Sequence, residues 1–261
     1  MASASACLAL MKRYCIDYVN VGDQSVTRDL MIEDYVLQMG EYEVVGRDGA
    51  YWDATARQMK QYPGLLLTVH EIATCGNRLM MRFTEHGRHA KSGVPCAWGG
   101  ISMYRWDGSR LTHCSVEQDY WSRKRQIDAG RADTVDHPAT APFTGEGQQP
   151  DPAAEKSARK WLEAGGIGTD GAVQCDDEWL PGHERMRVLD QRSIAIHDLF
   201  AVGQRVAFHA TIDGTIAADF PAGETGAPGA LHVAGILHID QGKIAHGRVI
   251  RNRMNLRQSA G

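Results

Sequence analysis

No stretch of this chain approaches the roughly 18 consecutive apolar residues that a membrane-spanning helix needs. Its first residues carry a short apolar run without the basic stretch that opens a secretory leader. Both absences lead to the expectation of a cytoplasmic protein with no membrane partner. Cysteine is scarce and scattered. Cys7, Cys15, Cys75, Cys96, Cys114 and Cys175 form no Cys-x-x-Cys pair, which argues against a structural zinc site. A chain of 261 residues also has no need of disulfide staples, so the thiols are expected to be reduced. A surplus of positive charge is missing too: 28 Lys and Arg stand against 32 Asp and Glu, for a net charge of -4. The chain therefore lacks the electrostatic footprint of a general nucleic-acid binder. Finally there is no Gly-x-Ser-x-Gly elbow, no glycine-rich phosphate loop, no dinucleotide fingerprint and no His-Glu-x-x-His helix. No cofactor and no metal are expected.

The composition that remains is that of an ordinary globular protein, 43% hydrophobic and 23% charged. Residues 128–154 are rich in Pro, Gly, Ala, Thr and Asp and have no apolar periodicity, the signature of a linker. They divide the chain into residues 1–127 and 155–261.

The two parts align. His70-Glu71-Ile72 with Gly76-Asn77-Arg78-Leu79 meets His197-Asp198-Leu199 with Gly203-Gln204-Arg205-Val206, at an offset of 197 − 70 = 127. Arg110 to Val116 meets Lys243 to Val249, where His113 and His246 differ by 133. The second part thus carries about six extra residues (133 − 127), most naturally within Pro221 to Gly229. Two blocks in the same order imply a tandem duplication.

Within the first part, Leu8, Met11, Cys15, Tyr18 and Val19 follow a helical period. A second helical stretch is expected to end near Leu30-Met31-Ile32, and a third to span 50–61 before Pro63-Gly64. Strands are expected over 65–73, 78–85, 97–106 and 110–120, with hairpin turns at Cys75-Gly76-Asn77 and Asp107-Gly108-Ser109. The second part repeats the plan with a helix over 155–164 and strands over 194–199, 205–212, 231–239 and 243–253. Helices followed by a meander of long strands read as α+β.

The order of several short pieces carries a family resemblance. They are Tyr14 to Asp23, Asp34-Tyr35-Val36, Tyr62-Pro63-Gly64-Leu65, Gly76-Asn77-Arg78-Leu79 leading into Arg82-Phe83-Thr84, and Met103 to Leu111. Together they resemble the SnoaL-like branch of the nuclear-transport-factor-like superfamily, over residues 8–125 and more weakly over 155–256. The resemblance implies two tandem cone-shaped units, each a strongly curved, mostly antiparallel sheet wrapped around N-terminal helices, with the second unit degenerate. It also implies an intrachain pseudo-dimer packed through the sheets, with room for a further homodimer. The superfamily includes polyketide cyclases, ketosteroid isomerases, dehydratases, limonene-type epoxide hydrolases and non-catalytic binders. The expected function is cofactor-independent acid/base chemistry on a small apolar organic molecule, with a non-catalytic small-molecule carrier as the alternative.

The resemblance also shows departures. The proton-transfer slot on the last long strand falls on Val116, and on Val249 in the second unit. The isomerase base slot falls near Met39 and its oxyanion partner near Ser102, while Tyr14 matches the helix-borne tyrosine to within one residue. Candidate acids are therefore sought elsewhere. Alternation puts Leu79, Met81, Phe83 and Glu85 on one apolar face, so Glu85 is a candidate acid or base. Glu117 and Asp119 share a strand face, and Gln118 takes the other. If Val116 points inward, so does Gln118, and the two carboxylates point away unless a bulge reverses them. All three acids are carried as catalytic candidates. Tyr14, Tyr18, Gln38, Met81, Phe83, Trp98, Ser102, Tyr104, Cys114 and Gln118 are candidate substrate contacts. The second unit has Ile212, Ile250 and Asn252 where the first has the acids, and gains Arg248, Arg251 and Arg253. The matched histidines, His70 with His197 and His113 with His246, fit a packing role at least as well as catalysis.

Overall fold

The computed structural model of the protein describes residues 4–258. The chain packs as two compact units. Unit one runs to Val116 and resumes over Ser122–Gln148, and unit two holds Glu117–Trp121 and the chain from Gln149 onward. The segment read as a linker is shared between them. Its portion to Gln148 stays on unit one, where Ala139 N donates to Val69 O (2.8 Å) and Gln148 N to Thr74 O (3.2 Å). Arg82 pairs there with Asp136 at 3.0 Å.

In unit one, α1 (Ala4–Arg13) continues into a π-helical segment, Tyr14–Asn20. Leu8, Met11, Cys15, Tyr18 and Val19 all enter the core, at the spacing the sequence predicts. The second helical stretch ends as the single turn α2 (Thr27–Leu30), and strand β1 (Met31–Met39), which the sequence did not signal, follows, hairpinned to β2 (Tyr42–Val45). Apolar residues in β1 follow no single period, and its parallel pairing with a strand far along the chain decides its conformation. A second π-helical segment, Arg47–Tyr51, opens α3 (Trp52–Gln61). Then β3 (Leu66–Cys75), β4 (Arg78–Arg88), β5 (Pro95–Trp106) and β6 (Leu111–Gln118) follow as a meander. The sheet order is β2-β1-β6-β5-β4-β3. Tyr120–Ala129, expected to close the last strand and begin the linker, forms helix α4.

Unit two opens with α5 (Pro152–Glu163), whose Asp151 N-cap carboxylate accepts from Ala153 N (2.9 Å) and Ala154 N (3.2 Å). The cap and the proline in the first turn satisfy or remove backbone donors that would otherwise be orphaned. Strands β7 (Val173–Cys175), β8 (Leu189–Val202), β9 (Arg205–Ile216), β10 (Pro228–Asp240) and β11 (Lys243–Arg251) lie in the order β7-β11-β10-β9-β8. The two-residue β12 (Arg257–Gln258) pairs with β10. Each unit is α+β, with one mixed sheet covering its helices.

The duplication holds at the level of register. Ile72 faces Met81 across β3 and β4, and Leu199 faces Phe208 across β8 and β9. Glu85 faces Trp98, and Ile212 faces Leu231. These pairs preserve both sequence offsets, so the extra residues lie in the β9–β10 hairpin loop, 217–227. Even the irregularities match. Pairing skips between Val69 and Glu71 in β3 and between Ile196 and Asp198 in β8. The histidine at each bulge reaches a threonine hydroxyl, His70 Nε2 to Thr84 Oγ1 and His197 Nε2 to Thr211 Oγ1, both at 2.7 Å. The matched histidines thus share one contact at one bulge.

One glycine in each sheet makes room for an aromatic ring. Gly100 faces Phe83 and Gly235 faces Phe208, and a Cβ at either glycine would overlap the ring opposite. Gly100→Ala and Gly235→Ala are each expected to lower stability by about 1–3 kcal/mol through overpacking. Denaturant melts check this; an unchanged midpoint would show that the rings move aside freely.

Candidate functional site

Strand alternation in β4 delivers Leu79, Met81 and Phe83 to the core of unit one, and Glu85 follows them on the same face. Glu85 is 7% exposed. Its carboxylate Oε2 accepts the Gln58 Nε2 amide of α3 at 2.5 Å. Trp98 stands opposite it in the ladder. Burial pushes the Glu85 carboxyl up to about 7, opposed in part by the Gln58 amide, the Arg123 charge and the Trp98 indole. Arg123, from α4, lies over the Trp98 ring at 4.9 Å and the Tyr62 ring at 5.2 Å. Glu85 thus changes protonation near neutrality, because an apolar wall disfavours its charge and a few polar neighbours partly restore it.

Deeper in unit one lies a cluster of tyrosines. Tyr14 is 5.6 Å from Tyr18 and 5.7 Å from Tyr104, Tyr18 is 6.2 Å from Tyr51, and Tyr51 is 5.2 Å from Tyr35, measured between ring centroids. The two π-helical segments supply Tyr14, Tyr18 and Tyr51, in keeping with the frequent placement of such segments at functional sites. Burial raises the pKa of every one of these phenols and pushes the Cys114 thiol up to about 12. They are therefore neutral hydroxyl donors at physiological pH. The Tyr18 hydroxyl lies against Thr55 and Tyr51, and the Tyr35 hydroxyl against Cys114. Neither completes a hydrogen bond of good geometry. Met81 faces Ser102, which is fully buried, and Cys15 Sγ approaches Met81 Sδ at 3.8 Å. Among the expected contacts, Tyr14, Tyr18, Met81, Phe83, Tyr104 and Cys114 share this core, with Trp98 and Ser102 on the adjoining strand.

Residues 12–114 match the SnoaL-like domain. The matched segment falls within unit one. Solved structures of similar fold each align with about half of the chain. A protein from Jannaschia sp. CCS1 assigned as a SnoaL-like polyketide cyclase is 13% identical, covering 49% of this chain and 94% of its own, with a TM-score of 0.45. TsrD from Streptomyces laurentii is 22% identical, covering 48% and 96%, with a TM-score of 0.42. An LEH-like epoxide hydrolase from M. tuberculosis is 13% identical, covering 49% and 92%, with a TM-score of 0.41. Among curated proteins no match is found. No helix among the described residues is long and apolar enough to cross a membrane.

The other candidates lie away from the interior of unit one. Cys114 and Val116 point into its core, so alternation along β6 turns Glu117 to the opposite side, and Asp119 follows just past the strand. Both are buried within unit two's packing. Glu117 accepts from His209 and Asn252, and Asp119 pairs with Arg253 at 2.8 and 2.9 Å. Gln118 also belongs to unit two's segment. Gln38 is half-buried on the face of β1 opposite Tyr35, Leu37 and Met39, which pack on the core. Gln58 and Arg123 escape sequence reading because each reaches Glu85 from a separate helix, with no fixed spacing to it. In unit two the positions of Glu85 and Trp98 are held by Ile212 and Leu231. These line a small cavity with Ile167, Val188, Leu189 and Arg251, and no acid lines it.

Two of the arginines gained by unit two, Arg251 and Arg253, hold its fold. Arg251 donates to Asp176 (2.7 Å) and Glu178 (2.9 Å), and Arg253 reaches Asp119, Asp176 and Asp177. Asp176 adopts a left-handed backbone at φ 50° and accepts Arg251 N as well. Arg251→Gln should cost about 3–5 kcal/mol, since it strands buried carboxylates without their cation; a denaturation midpoint equal to wild type would contradict this. The Glu85 carboxyl gives a pH signature. Its folded pKa, near 7, exceeds the ordinary 4.5, so between those values the folded state holds a proton that the unfolded chain has released. Stability should fall as pH rises through that window, by about 3 kcal/mol in all, and level off above it. Glu85→Gln should flatten that part of the stability–pH curve in urea melts.

Proposed function

We propose that the SnoaL-like domain is a cofactor-independent proton-transfer enzyme, with Glu85 as its acid or base. The observation that carries this reading is a carboxyl sealed against an apolar wall, titrating near neutrality and steered by the Gln58 amide. A group with that pKa both takes and returns a proton at physiological pH, the condition for efficient general acid–base catalysis. The neutral hydroxyls of Tyr14, Tyr18 and Tyr104 supply donors for a developing oxyanion. Met81, Phe83 and Trp98 supply an apolar surface for a small, largely hydrophobic organic molecule. Such a constellation suits cyclisation, isomerisation, dehydration or epoxide opening.

One observation favours a carrier instead. Val116 occupies the proton-transfer slot implied by the family resemblance and is buried in the core. The two readings separate experimentally. Ligands captured by the purified protein from a metabolite extract are identified by mass spectrometry and then followed for conversion. The enzyme reading expects turnover whose rate titrates with an apparent pKa near that of Glu85. It also expects Glu85→Gln to lower kcat about 10²-fold or more, with ligand affinity changed much less. Tight binding without turnover, or full activity in Glu85→Gln, would leave the carrier reading standing.

A further inference from the structure

The duplication explains the His–Thr contact common to both units, but it does not explain what surrounds that contact in unit two. On β9, Phe208, Ala210 and Ile212 enter the core, so His209 and Thr211 share the opposite face. His232, on β10, stands directly across from Thr211. Glu117 lies among them, fully buried. Its Oε1 is 2.8 Å from His209 Nε2, and its Oε2 accepts Asn252 Nδ2 at 2.8 Å. One ligand atom from each of Glu117, His209 and His232 falls within 4.8 Å of the others. The matched positions in unit one are Arg82 for His209 (209 − 127) and Gly99 for His232 (232 − 133). Both histidines are therefore specific to unit two, and both arrive at the same carboxylate.

We propose that Glu117, His209 and His232 form a site for a divalent zinc-class metal ion. Two imidazole nitrogens and one carboxylate oxygen are the donor set that borderline cations prefer. Three protein ligands leave one position of a tetrahedron for water or a small anion. The surroundings also behave as ligand supports. His232 Nδ1 lies 3.0 Å from Thr211 Oγ1, which meets His197 Nε2 at 2.7 Å, and this holds the His232 ring in place. Asn252 orients the carboxylate in the same way. The sequence expectation of no metal rested on the absence of a helical ligand spacing; here the ligands come from three different strands.

The test uses the full chain, stripped with a chelator, exchanged into metal-free buffer and titrated with Zn²⁺ by calorimetry and with Co²⁺ by visible absorption. The expected result is one ion per chain, with cobalt d–d bands of a low-symmetry four- or five-coordinate site. His232→Gln and Glu117→Gln should each weaken binding at least 10-fold, with the fold monitored by near-ultraviolet circular dichroism. His232 lies nearest the surface, at 8% exposure, so its variant decides the matter if Glu117→Gln does not fold. His246→Gln, which breaks the cross-strand pair of His238 and His246 (ring centroids 4.0 Å apart), should leave binding intact. The proposal is overturned if the wild-type chain binds neither ion, if folded His232→Gln binds as tightly as wild type, or if His246→Gln abolishes binding. Glu85→Gln should bind metal normally, so this result stands or falls apart from the catalytic reading.

Discussion

An extended backbone points successive side chains to opposite faces, and this constraint of period two distributes nearly all of the chemistry in this protein. On β4 it sends Met81, Phe83 and Glu85 inward and Arg82 and Thr84 outward. On β6 it sends Cys114 and Val116 inward and Glu117 outward. A carboxylate one position earlier or later would have faced the other side of its sheet. Glu85 and Glu117 are chemically identical and both buried, yet their surroundings differ completely. One sits against Trp98 and an amide; the other sits between two imidazoles and a second amide. Environment, set by strand parity, separates their roles.

The duplicated plan shows what each unit keeps and what it changes. Both keep the bulge with its histidine and the threonine that receives it; each also has a glycine that admits an aromatic ring, though at a different place in the ladder. These are backbone and packing features that the curved sheet needs. What differs is the polar content of the interior and of the reverse face. Unit one keeps an acid in its interior; unit two replaces it with Ile212 and concentrates charge around Arg251 and Arg253 instead. Those arginines are stable only as part of a complete set, because the desolvation of each ion is offset by several short contacts. Removing any one member leaves charge without compensation.

Much of this was legible in residue order alone. The α+β class, the duplication, the helix face of Leu8, Met11, Cys15 and Tyr18, and the inward direction of Glu85 all follow from local periodicity and from two repeated blocks. The parity argument for β6 even contained the right placement of Glu117 and Asp119 as one of its alternatives. The elements left unanticipated fall where no local period exists. β1 lacks a clear alternation, and its conformation is decided by pairing with β6. α4 lies where polar residues give no apolar stripe.

Sequence by itself determined the alternation of each strand, the capped start of α5 and the acids that each unit possesses, because these depend on neighbours within a few residues. Tertiary structure alone decided that Gln58 and Arg123 reach Glu85, that Arg251 and Arg253 are bound in ion pairs, and that Glu117 meets His209 and His232. Those encounters depend on strand register and helix placement across tens of residues. No local spacing encodes them, since the chain brings such groups together only after the sheet has closed around its core.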